Sequence, residues 1–102
     1  MNPENLNGKD LHDLKVKIKK GVVFKDLDNE MIIMDMDSGK YFGLNETGAA
    51  IWTLISKHHT LGEVLKRLLE EYEVPAQQLE NELRGFLKAI YEKGLVDVEP
   101  ST

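Results

Sequence analysis

The hydrophobic period of this chain changes once, at Leu44, and that change limits the fold more than any other feature. Before it the pattern is strand-like. Val16 and Ile18 alternate with Lys15, Lys17 and Lys19, the period of two of a half-buried strand. Gly21 interrupts, and Val22-Val23-Phe24 resumes an apolar run up to Leu27. Asp28-Asn29 suits a two-residue turn, because both residue types tolerate positive φ. Met31-Ile32-Ile33-Met34 reads as the next strand, and Asp37-Ser38-Gly39 as the next turn, with Gly39 where a left-handed residue is needed. Tyr41-Phe42-Gly43-Leu44 is a short third strand. Residues 16–44 are thus predicted to form a three-stranded antiparallel meander.

After Leu44 the period is helical. Asn45 is a good N-cap, Glu46 an anion in the first turn, and Leu44 can staple onto Ala49. Gly48, Ile51, Trp52 and Ile55 share one face of a first helix ending near Lys57. Thr60 and Glu63 have capping-box spacing for a second helix, faced by Leu61, Val64, Leu65, Leu68 and Tyr72. Pro75 opens a third, with Leu79, Leu83, Phe86, Leu87 and Ile90 as its apolar stripe and Gly94 as its stop. Leu95, Val96 and Val98 then fold back on the core. The expected class is α+β: a meander followed by three helices, like a winged helix-turn-helix with the strands first. Residues 1–13 are expected as a mobile arm, 14–98 as one domain and 99–102 as a tail.

Charge and composition remove several functions. Thirteen Lys and Arg against 18 Asp and Glu give a net charge of −5, the wrong balance for a nucleic-acid binder. No cysteine is present, so disulfides and thiolate metal sites are excluded. His12, His58 and His59 are badly spaced for metal, and no metal or cofactor is expected. No apolar run approaches the ~20 residues that span a membrane, and the polar start is no signal peptide. The chain therefore reads as soluble and cytoplasmic. No nucleophile with its base, phosphate-cradling loop or carboxylate pair in a pocket is visible, so the chain is read as not an enzyme. Asp26, Asp28, Asp35 and Asp37 read as solvent-facing charges, and Trp52 as a core anchor.

The run Gly39-Lys40-Tyr41-Phe42-Gly43-Leu44-Asn45-Glu46-Thr47-Gly48-Ala49-Ala50-Ile51-Trp52 resembles the signature of PqqD-like proteins. Its heart is Leu-Asn-x-Thr-Gly followed by Ile-Trp. The likeness continues through Thr60, Tyr72, Phe86-Leu87 and Gly94-Leu95, about residues 16–98. One departure is the turn Lys57-His58-His59 before Thr60, where the family often carries glycine. The resemblance implies a recognition element for ribosomally made, post-translationally modified peptides. Such a domain binds the leader of a precursor peptide and presents its core to a modifying enzyme. That enzyme is a radical S-adenosylmethionine protein in pyrroloquinoline quinone (PQQ) biosynthesis, and a protease, cyclase or other radical enzyme in related pathways. The leader is then expected to add as a strand beside the third strand and to pack on the third helix.

The residues permit that mode. An edge strand offers unpaired N–H and C=O groups to another strand. Tyr41, Phe42, Gly43 and Leu44 would form that edge, with Gly43 allowing close backbone approach. On the third helix, one flank carries Glu80, Arg84, Leu87, Lys88 and Tyr91, the other Glu82, Gly85 and Ala89. The sequence leaves open which flank lines the groove. The first is preferred, because leaders are often acidic, so Arg84, Leu87, Lys88 and Tyr91 complete the candidate site. An exposed edge can also pair with its own copy, so a homodimer is open. The rival reading is a winged-helix DNA-binding regulator, with Gln77, Gln78, Asn81, Arg84 and Lys88 on its recognition helix against Glu80 and Glu82.

Overall fold

The computed structural model describes residues 13–100. The elements are β1 (Leu14–Ile18), β2 (Val22–Leu27), β3 (Glu30–Asp35), β4 (Lys40–Leu44), α1 (Glu46–Lys57), α2 (Leu61–Glu71), α3 (Ala76–Glu92) and β5 (Val96–Pro100). The expected arm, apart from Asp13, and the last two residues of the expected tail lie outside the described residues.

The meander is present, but it begins later than the alternation suggests. It comprises β2, β3 and β4 in that order. β1 belongs to a second, two-stranded sheet and pairs antiparallel with β5, Val16 opposite Val98 and Ile18 opposite Val96. The break is Gly21, whose φ of +93° turns the chain out of the two-stranded sheet and into the meander. The fold-back at Leu95 is therefore a strand, with Lys19 N–H donating to the Leu95 carbonyl. Its partner, β1, is its neighbour in space but lies at the opposite end of the described sequence. The opposite side of β1 is held too: Val16 N–H donates to the His59 carbonyl at 2.7 Å. The Lys57-His58-His59 turn is thus tied to a strand, and no glycine is needed there.

At the β2–β3 turn only Asp28 enters the left-handed region, at φ 59°. The inner face of the meander packs through Met31 and Ile33 on α1, while β1 and β5 supply Val16, Val96 and Val98 from the other sheet. Trp52, Leu61, Val64 and Leu83 complete the centre, each fully buried. Among the described residues no helix is long and apolar enough to cross a membrane.

Asn45 caps α1 as its position suggests. Its side chain accepts from the Gly48 N–H at 2.9 Å, and its carbonyl accepts from Ala49. Asn45→Ala should therefore lower stability by about 0.5–2 kcal/mol. In a domain of this size that is a drop of roughly 4–8 °C per kcal/mol in a thermal melt.

Candidate functional site

Which backbone groups of β4 are open follows from the hairpin turns. Antiparallel partners alternate between pairs that exchange both backbone bonds and pairs that exchange none. The two-residue turn Asp28-Asn29 closes on Leu27 and Glu30, which makes them a bonded pair. Bonded pairs recur at Lys25 with Ile32 and at Val23 with Met34. One step further, the Met36 N–H donates to the Gly21 carbonyl at 2.9 Å, as the alternation requires. Met31, Ile33 and Asp35 therefore direct their backbone groups to β4, where they face Leu44, Phe42 and Lys40. The N–H and C=O of Tyr41 and Gly43 are left pointing outward, along an edge with no further strand.

The side chains sort the other way. Phe42 and Leu44 are half-buried and pack on the core from the inner face. Tyr41 stands on the outer face, 68 % exposed, in one row with Met34 and Val23. The four strand residues thus divide into two that offer main chain and two that shape the wall beneath.

Beyond this edge lies an open groove of about 540 Å³, with Gly43 and Leu44 on one side and Glu82, Gly85 and Phe86 of α3 on the other. The first turn of α1, through Thr47 and Gly48, closes its end. A Cβ added at Gly43 or at Gly85 would meet no atom within 4 Å, so both walls are open where a backbone would enter. Gly85 sits inside a 17-residue helix, where glycine costs about 0.5–1 kcal/mol against alanine. Gly48 is the opposite case. A Cβ there would come within 3.3 Å of the Phe86 ring and 3.4 Å of Leu44 Cβ, so this glycine lets α1, α3 and β4 meet at the groove's end. At the other end the Lys93 ammonium lies 5.8 Å from the centre of the Phe42 ring, a cation–π contact. Gly43 and Leu44 thus lie beside Glu82, Gly85 and Phe86, and Phe42 beside Lys93, so β4 and α3 run in opposite senses.

Of the expected site residues, Gly43 and Leu44 line this groove, and Tyr41 and Phe42 lie on the same strand. The helix residues beside β4 are Glu82, Gly85 and Phe86, from the flank of small side chains. Arg84, Leu87, Lys88 and Tyr91 are not among the groove's lining residues. Leu87 is buried in the core at 1 % exposure, Tyr91 is half-buried against it, and Arg84 and Lys88 are exposed. Gly48 and Phe86 are lining residues that the apolar spacing assigned to helix packing, and Thr47 lines the groove with them. Gly85 was the available signal, an interior helix glycine with no turn to explain it. Among the described residues no three His, Asp or Glu side chains gather to hold a metal ion, and His12 lies outside them.

Two solved structures share this architecture. One is described as TbiB1 in complex with the TbiA(beta) leader peptide; it is 33% identical, with a TM-score of 0.76, over 79% of this chain and 94% of that one. The other is a lasso peptide synthetase B1 complexed with the leader peptide, 25% identical with a TM-score of 0.72, over 81% of this chain and 98% of that one. No curated protein matches the sequence. The family model described as "Coenzyme PQQ synthesis protein D (PqqD)" matches residues 30–96, and the chain belongs to that family.

Proposed function

We propose that this protein is a leader-peptide-binding adaptor, which holds a ribosomally made precursor peptide for an enzyme that modifies it. The observation that carries the reading is the free edge of β4 facing α3 across an open groove. An extended peptide there gains main-chain bonds from Tyr41 and Gly43, and meets Phe42, Leu44 and Phe86 with its inward side chains. Both similar solved structures are complexes with leader peptides, which supports the same class of ligand here.

In this reading Tyr41, Phe42, Gly43 and Leu44 bind the leader, with Gly85 and Phe86 as the opposite wall. Arg84 and Lys88 do not line the groove, so this reading gives them no direct contact with the peptide. Leu87 and Tyr91 act indirectly, by fixing α3 against the core. The partner enzyme is a radical S-adenosylmethionine protein if the pathway is of the PQQ type, or a protease or cyclase if it is of the lasso type. The chain itself supplies binding and not catalysis, and works in the cytoplasm. A DNA-binding role fits less well, because the flank of α3 that faces the groove carries Glu82, which repels phosphate.

Titrating ¹⁵N-labelled protein with the leader of a candidate precursor peptide should move the amides of residues 41–44 and 82–86. Unmoved amides at high micromolar leader would remove this reading for that peptide.

A further inference from the structure

We propose that the cleft holds its peptide at two places: the β4 edge, and a separate apolar recess that takes one large uncharged side chain of the same peptide. This rests on the adaptor reading above.

The recess, about 190 Å³, lies where the first turns of α1 and α3 meet the end of α2. Its floor is Ile51, Leu68 and Leu79, none more than 4% exposed. Tyr72 and Val74, half-buried in the α2–α3 connection, form a wall. Thr47, Ile51 and Glu82 line both this recess and the groove beside β4, so the two spaces are continuous across one turn of α1.

Size and chemistry define the occupant. An apolar cavity of about 150 Å³ accepts a benzene ring. The recess therefore accommodates one leucine-, phenylalanine- or tyrosine-sized side chain and not two. The polar lining residues Thr47, Gln78 and Glu82 are all exposed, so a charged group seated on Ile51, Leu68 and Leu79 would lose its hydration without a partner in the floor. The position in the peptide follows from geometry. Thr47 and Ile51 are four residues apart on a helix, about 6 Å. An extended chain covers that in roughly two residues. The anchoring side chain should thus lie about two to four residues beyond the stretch that pairs with β4.

The test is selection of a displayed library of random peptides on the full chain, followed by anisotropy titration of the winners. Winners should share a large apolar residue at that offset, and changing it to alanine should weaken binding about ten- to hundredfold. Val74→Trp, which fills the recess, should erase the difference between a winner and its alanine version. Val74→Ala, which enlarges the recess, should preserve it. Gly43→Pro should weaken both peptides alike. In the unmutated protein, methyl signals of Ile51, Leu68 and Leu79 should move with the winner and stay still with its alanine version. Winners that depend on Gly43 but show no such apolar position, or a preference that Val74→Trp leaves intact with still methyls, overturn the recess and leave the edge standing. A selection that yields no binders overturns the adaptor reading and the recess with it.

Discussion

Gly43→Pro should weaken leader binding about a hundredfold while leaving a folded protein. The register directs the Gly43 N–H and C=O to the open edge of β4, so proline removes a donor that the sheet itself does not use. An edge strand with that N–H facing outward is one of the settings in which a strand tolerates proline. The donor contributes about 0.5–1.5 kcal/mol. The ring also occupies the line along which an added strand approaches, so the neighbouring bonds to Tyr41 weaken with it. Two or three lost bonds amount to about 3 kcal/mol, on the order of a hundredfold in Kd. Gly43→Ala is the contrast. Its Cβ would project into empty space, so binding should stay within about twofold and strand stability should rise slightly. Calorimetric titration of a leader peptide with both variants, alongside their melts, separates the causes. Equal losses would mean that crowding and not main-chain pairing governs the edge; full binding by the proline variant would move the site off β4.

Gly43 was legible from sequence because strand signals are local. A period of two and two turn signals suffice to place β2, β3 and β4, and Asn45 and Thr60 mark the starts of α1 and α2, although only Asn45 makes the side-chain cap bond. β1 escaped for the opposite reason. Residues 16 and 18 alternate as well as any meander strand, but their partners are Val98 and Val96. Nothing within a short window distinguishes a strand that continues into the next hairpin from one that waits for the C-terminus. The flank of α3 failed on a different quantity, the rotation of the helix. Apolar spacing defines a stripe wide enough to contain both Phe86 and Leu87, which lie ~100° apart. Packing decides between them: Leu87 is buried at 1 % and Phe86 is only half covered. With Leu87 inward, Glu82 and Gly85 come round to β4 and Arg84 is carried away from it. The sequence held one hint of this in Gly85, whose cost in a helix interior needed a reason.

Trp52 is where the fold itself is most exposed to a single change. Its side chain is fully buried, and the exposed side of its environment is closed by Phe24, edge-on at 5.9 Å and 77°. Trp52→Ala should cost about 3–5 kcal/mol, from lost transfer energy and the cavity left between α1 and the meander. Domains of this kind have about 5–15 kcal/mol in all, so the variant should lose a large share of its stability and melt lower by about 4–8 °C per kcal/mol. Trp52→Phe should behave differently. The indole Nε1–H has no hydrogen-bond partner among the described residues. A buried donor left unsatisfied costs about 1–3 kcal/mol, and phenylalanine removes that penalty along with part of the packing. The two effects oppose each other, so Trp52→Phe should lose less than about 2 kcal/mol in a urea melt and keep its affinity for leader. A loss as large as that of Trp52→Ala would mean that the indole N–H is bonded in solution, to an ordered water, and that the donor contributes to holding α1 in place.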